Sequence, residues 1–307
     1  MGLSTVIERA VYTLAFGADR YVRYALGLAR SLRLLGDPTP RYVLTDRPDA
    51  AWRPAFDEVI VCPPPENAYL AKLSLRALIP ARQALFIDSD SLAFRRLDPI
   101  FAAYSSHELG RNIGVDVGVV GWPVSHGDWH GDIGRVCRQL HLSELWQFNA
   151  GLLFFGPNSD AILPHVERAV QDYDGLGLRR FRGNIPDEPC LSIAIARAGW
   201  MADGRAHLVS DDRDFMNTAV GPIGKLDYDV RQGRCQYLCR RQRVRLVRPI
   251  LLHAHEQVKY WRYWRQLQIL EALEDYERQH PFGYASPGHK LRRSIERRIL
   301  KITGRLR

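Results

Sequence analysis

The first hundred residues alternate between two hydrophobic periods, and that alternation restricts the fold more than any other property of the chain. "RAVYTLAF", residues 9–16, is β-rich and stops at Gly17. "RYVRYALGLARSLRLLG", 20–36, puts Tyr21, Ala25, Leu28 and Leu32 at helical spacing and stops at Gly36. "RYVLTD" and "FDEVIVC" read as two more strands, bracketed by "GDPTP", "RPD" and "PPPEN". "AYLAKLSLRALI", 68–79, is helical and runs into an apolar stretch at 83–94. Strand–helix–strand repeats predict an α/β fold with a mostly parallel, Rossmann-like central sheet and helices on its faces. In such sheets ligands bind beyond the carboxyl ends of the strands.

One of those ends is chemically unusual. "QALFIDSDSLAF", 83–94, has apolar residues on both sides of two carboxylates, Asp88 and Asp90, with Ser89 between them. In an extended segment both acids share a face. Like charges held together in apolar surroundings are costly unless one is protonated or a cation sits between them. A hard divalent cation suits two carboxylates, and an added imidazole favours Mn²⁺ over Mg²⁺. "LLHAHEQVKYW", 251–261, offers that imidazole: His253 and His255 fall on one face of a strand end, with Lys259 beyond.

Between these segments the pattern is less regular. "GLLFFG", 151–156, reads as a strand and 159–173 as a helix. "DEPCLSIAIARAG" reads as a helix with Asp187 at its N-cap and Gly199 past its end. "VRLVRPILLHAH" returns to strand and 257–279 to helix.

Five segments, in order, resemble glycosyltransferase family 8, nucleotide-sugar enzymes of the GT-A fold. "VYTLAFGADRYVRYALGLARSL" resembles the opening strand and helix, and "AKLSLRALIPARQALFIDSD" the lysine-bearing helix leading to the D-x-D motif. "FNAGLLFFGP" is similar to the "FNSG" strand, "DEPCLSIAI" to the acidic helix start, and "HAHEQVKYW" to the "HFxGxxKPW" block. The likeness spans roughly 10–265 and implies one domain over 1–285. Residues 1–104 would be its nucleotide-binding half and 105–285 its acceptor half. It implies Asp88, Asp90 and His253 as ligands of Mn²⁺ or Mg²⁺, and Lys259 on the donor phosphates. Thr13, Leu14, Asp19 and Tyr21 would surround the base and ribose, with Lys72 and Ser89 in the donor site. Asn149, Ala150 and Gly151 would line the sugar pocket, and Asp187 and Glu188 would be catalytic.

The implied reaction moves a hexose from a nucleotide-sugar, UDP-linked, to a glycan or lipid-linked acceptor with retention. Glu188 would stabilise an oxocarbenium-like transition state or act as a transient nucleophile; front-side attack assisted by the leaving phosphate is a third route. Departures from the family pattern are Ala150 for Ser, Glu188 for an amide, Glu256 for Gly and Tyr260 for Pro. The last two keep open an inactive relative that binds nucleotide or glycan. No G-x-G-x-x-G or G-x-x-x-x-G-K-[ST] follows the first strand, against dinucleotide and P-loop readings.

A rival cluster lies at "SHGDWHGD". His126, Asp128, His130 and Asp132 alternate, so a strand would align them as a second metal site and suggest a metallohydrolase. Gly127, Gly131 and Pro123 predict a loop over the acceptor side instead.

The net charge of +9 is concentrated in two segments. "HKLRRSIERRILKITGRLR", 289–307, carries +7, and "RQGRCQYLCRRQRVRLVR", 231–248, carries +7; subtracting both from +9 leaves −5 for the rest. That remainder argues against a generic polyanion binder, and nucleic acid is not expected as a partner. Leu291, Ile295, Ile299, Ile302 and Leu306 form one apolar stripe in a basic tail, 286–307, which predicts an amphipathic helix on an anionic membrane surface. The arginine run at 231–248 extends that surface, binds an anionic acceptor, or is one charged face of two strands. The N-terminus lacks a signal-peptide pattern and the five cysteines form no CxxC pair, which predicts a cytoplasmic protein, peripheral on the inner face of the membrane.

Overall fold

In a computed structural model of the protein, the described residues are 7–105, 115–210, 215–218, 226–239, 245–255, 258 and 260–279. The basic tail, Lys259 and Glu256 lie outside them, and so does the expected C-terminal amphipathic helix.

The first part of the chain follows the expected order: β1 (Ile7–Ala15), α1 (Asp19–Leu34), β2 (Arg41–Thr45), β3 (Glu58–Val61), α2 (Ala68–Ser74) and β4 (Ala81–Ile87). A short β5 (Ser91–Ala93) and α3 (Asp98–Tyr104) come next. β6 (Val117–Val124), α4 (Ile133–Leu140), β7 (Leu145–Phe155), α5 (Leu163–Asp172), α6 (Asp187–Arg197), α7 (Trp200–Asp203) and β8 (Ala206–Ser210) complete the main layers. The remainder comprises β9 (Met216–Thr218), β10 (Asp227–Asp229), β11 (Arg234–Cys239), β12 (Arg245–Val247), β13 (Leu251–His253) and α8 (Trp261–Gln279).

Seven strands make the central sheet in the order β3-β2-β1-β4-β7-β6-β8. It is mostly parallel; β7 alone runs against the others, pairing antiparallel with both β4 and β6. Side-chain alternation splits the core between the two faces. On β4, Phe86 packs into a layer with Tyr12, Leu153 and the α6 residues Leu191 and Ile195. Leu85 and Ile87 point the other way, onto Leu28 and Leu32 of α1 and Phe101 of α3. Each such side chain removed from water contributes about 1.5–3 kcal/mol. The apolar run preceding Asp88 is thus a strand covered on both sides.

Two strand readings divide in the structure. The stretch 83–94 is two strands in different sheets: β4 stays in the large sheet, while β5 enters a three-stranded sheet ordered β5-β13-β9. Likewise 244–255 becomes β12 and β13, again in separate sheets, because Pro249 between them has no N–H to continue a ladder. On α1 the core-facing stripe includes Ala25, Leu28 and Leu32 but begins at Val22, and Tyr21 is exposed. The arginine run from 231 enters a ribbon ordered β10-β11-β12, where Arg231 pairs with Asp229 and Arg234 with Asp227.

Candidate active site

After Ile87 the chain leaves the large sheet through a turn, closed by the Ser91 N–H donating to the Asp88 carbonyl at 3.0 Å. Asp88, Ser89 and Asp90 are therefore not extended, and the shared-face argument does not describe them. The carboxylates converge for another reason. β5 pairs antiparallel with β13, and the register sets His253 opposite Ser91, one residue from Asp90. His253 Nε2 lies 3.2 Å from Asp90 Oδ1 and 3.4 Å from Asp88 Oδ2. Ligand atoms of the three side chains lie within 4.8 Å of one another, the one such group among the described residues placed to hold a metal ion.

β7 brings the next side chains. Its register on β4 sets Leu152 opposite Ile87, and the Asp88 N–H donates to the Gly151 carbonyl at 2.9 Å. One residue pair further, Asn149 Oδ1 accepts from the Gly151 N–H at 2.8 Å and lies 3.1 Å from His253 Nδ1. The Gly151 N–H identifies that atom as the amide oxygen, which has no proton to give, so His253 Nδ1 must be the donor. That leaves Nε2 facing the two carboxylates. A second partner that fixes the tautomer is the usual support of a metal-binding histidine.

Lys72 closes the other side. It sits on α2, buried, with Nζ 2.8 Å from Asp187 Oδ2 and 3.4 Å from Asp88 Oδ1. It also donates to the Ala150 carbonyl at 3.2 Å. Asp187 is not the N-cap of α6, which is Pro186; it is the first helical residue, and its carboxylate turns inward to Lys72. Glu188 Oε1 accepts from the Ala150 N–H at 3.0 Å, and Oε2 lies 3.7 Å from His130 Nε2.

The charges balance tightly. Burial disfavours the Lys72 ammonium, but Asp187 and Asp88 outweigh it and hold its pKa above the ordinary value. Burial likewise lowers the His253 pKa, and Asp90 and Asp88 overcome it, lifting the imidazole to about 9. Burial raises Asp90, yet His253 outweighs that and keeps it below the usual carboxylate range. A proton on His253 thus holds the place between the acids that a cation would take. Two carboxylates and one imidazole, the imidazole oriented from behind, fit a hard divalent ion.

The close approach of β7 depends on a missing side chain. A Cβ at Gly151 would come within 2.6 Å of His253 Nδ1 and 2.7 Å of Asn149 Oδ1. Gly151→Ala is expected to push the ring off its partner and weaken the binding of any divalent cation by the trio by about 10–100-fold, the usual effect of losing a ligand's support. Calorimetric titration of the metal into both proteins checks this; equal affinities would refute it.

The remaining expected site residues fall into two groups. Lys72, Asp88, Asp90, Asn149, Ala150, Gly151, Asp187, Glu188 and His253 are linked by the contacts above. Ser89 lies in the turn between the acids. Thr13 is buried on β1 with its hydroxyl lacking a hydrogen-bond partner among the described residues, and Leu14 packs against the core beside it. Asp19 and Tyr21 are exposed in the first turn of α1, where Asp19 pairs with Arg47 at 2.6 Å. Lys259 is not described. His255 stands just past the strand, its ring 5.9 Å from that of His253.

The His126–Asp132 segment is a loop, as its glycines predict, and its acids are used elsewhere: Asp128 pairs with Arg179 at 2.6 Å and Asp132 caps α4. Its contribution to the site is His130 against Glu188; the sequence marks His130 only as one of four alternating residues, and its φ of +54° aims the ring in a way no periodicity encodes.

No family model matches the chain, and no curated protein matches it. Among solved structures, the galactosyltransferase LgtC in complex with donor and acceptor sugar analogues is 16% identical, covering 67% of this chain and 75% of that one with a TM-score of 0.44. An active-site mutant of LgtC is 17% identical over 84% of this chain and 94% of that one, with a TM-score of 0.49. Mouse xyloside xylosyltransferase 1 is 11% identical over 80% and 97%, with a TM-score of 0.48.

Proposed function

We propose that this chain is a metal-dependent glycosyltransferase that moves a hexose from a nucleotide-sugar, UDP-linked, to a glycan or lipid-linked acceptor with retention. One observation carries the reading: the Asp88–Asp90–His253 trio beyond the carboxyl end of β4 shares a contact network with Lys72, Asn149, Asp187 and Glu188. A divalent ion, Mn²⁺ or Mg²⁺, bound by the trio would offset the charge developing on the diphosphate as the sugar departs.

In this reading the chain's own groups orient and exclude. Thr13, Leu14, Asp19 and Tyr21 border the nucleoside at the end of β1 and the start of α1, Ser89 lies beside the diphosphate, and Lys259 adds a charge there. Asn149, Ala150 and Gly151 bound the sugar. Lys72 ties Asp187 to Asp88, so the sugar-facing helix start and the cation site move as one body. Glu188, held by the Ala150 N–H, presents fixed negative charge to an oxocarbenium-like sugar.

The test is donor hydrolysis by the full chain with Mn²⁺ and a panel of UDP- and GDP-sugars, beside Asp88→Asn/Asp90→Asn. Turnover lost in the double variant supports the transferase. Nucleotide binding without turnover in the wild type would point to an inactive relative, and activity dependent on His126 or His130 but not Asp88 to a hydrolase.

The reading also takes the 289–307 tail as the contact with an anionic membrane, on its cytoplasmic face. No helix among the described residues is long and apolar enough to cross a membrane. Deleting 287–307 is expected to abolish flotation with anionic liposomes, and unchanged flotation would end the idea.

A further inference from the structure

Beside Glu188 lies a feature that the donor reaction does not use. The segment leading into α6 makes a tight turn, with Phe181 and Asn184 exchanging backbone hydrogen bonds at 2.8 and 3.0 Å. Its two central residues, Arg182 and Gly183, have φ of +51° and +82°. Glycine takes that conformation freely, but for arginine it is uncommon and strained. The turn is anchored at several points. The Arg179 N–H donates to the His130 carbonyl at 2.6 Å, the Tyr173 hydroxyl to the Arg179 carbonyl at 2.7 Å, and Asn67 Nδ2 to the Ile185 carbonyl at 3.0 Å.

Three arginines crowd this turn, and two are neutralised: Arg179 by Asp128 at 2.6 Å and Arg180 by Asp174 at 2.8 Å. Arg182 has no carboxylate partner among the described residues; its guanidinium rests 5.0 Å over the Phe181 ring. That ring lies 5.8 Å from Tyr69 and 6.4 Å from His130, the residue that faces Glu188. Tyr69 is one helical turn before Lys72 on α2, so it shares that residue's face at the rim of the site. Burial raises the Tyr69 phenol above its ordinary value, while the charge of Arg182 opposes the rise and that of Asp187 adds to it.

We infer that Arg182, with the wall of Tyr69, Phe181 and His130, forms a binding subsite for an anionic sugar, a pyranose bearing a phosphate or a carboxylate. The guanidinium fork matches either group through paired, charge-assisted hydrogen bonds, and its seat on Phe181 reduces the freedom lost on binding. The aromatic wall takes the apolar C–H faces of the ring. Calling the bound sugar an acceptor rests on the transferase reading; the binding itself does not.

The test titrates the full chain by calorimetry with glucose, glucuronate and glucose-6-phosphate, with EDTA present so that no cation site competes for the anion. Wild type is expected to prefer at least one anionic sugar over glucose by about tenfold or more. Arg182→Gln should erase that preference and Arg180→Gln, whose arginine is already paired, should keep it. Which anion binds more tightly identifies phosphate or carboxylate as the source. The inference is overturned if wild type shows no preference, if the preference survives in Arg182→Gln, or if Arg180→Gln loses it equally. Donor hydrolysis by the wild type decides the transferase reading separately.

Discussion

Lys72→Met is expected to cost about 3–5 kcal/mol of folding stability, the usual penalty for removing one partner of a buried ion pair. Lys72 is 6% exposed and Asp187 4%, so the aspartate left behind would have neither water nor a counter-ion. Asp88 would lose its ammonium neighbour too. Adding Asp187→Leu removes the stranded charge and should recover much of the loss, because replacing both members with apolar groups is often close to neutral. Urea unfolding of the single and double variants measures both effects. A single variant as stable as wild type would mean that water reaches this pair.

Asp88→Asn/Asp90→Asn is expected to lower metal-dependent donor turnover by about a thousandfold or more, corresponding to several kcal/mol of lost charge stabilisation. The fold should survive, since the substitutions keep the volume, Lys72 retains Asp187 as its partner, and His253 can shed its proton once the acids that hold it are gone. A second readout separates cation binding from catalysis. Mn²⁺ at a hundred times its Kd should stabilise the wild type by about 2.7 kcal/mol and leave the double variant unmoved. Equal stabilisation of both proteins would place the cation elsewhere.

The fold class was legible because periodicity is local: each strand and helix to Ile87 declares itself within a dozen residues. Less legible was what depends on register. Nothing between 83 and 94 says that the chain changes sheets after Asp90, because both halves are apolar and both are buried. Asp187 read as a cap because its position at a helix start is all a sequence shows; its pairing with Lys72 is a matter of packing. His130 looked like one of four alternating ligands, whereas a left-handed backbone turns it toward Glu188. The proposed donor-side residues on β1 and α1 were marked by resemblance alone.

β13 is three residues long, and it is the element that delivers the imidazole. A ribosome must extend the chain past residue 253 before the third ligand exists, and β13 must then dock between β5 and β9. Until that docking occurs, a nascent or nicked chain offers a cation only two acids on a loose turn. On the proposed metal reading, cation uptake would therefore report completed assembly and separate mature molecules from unfinished ones.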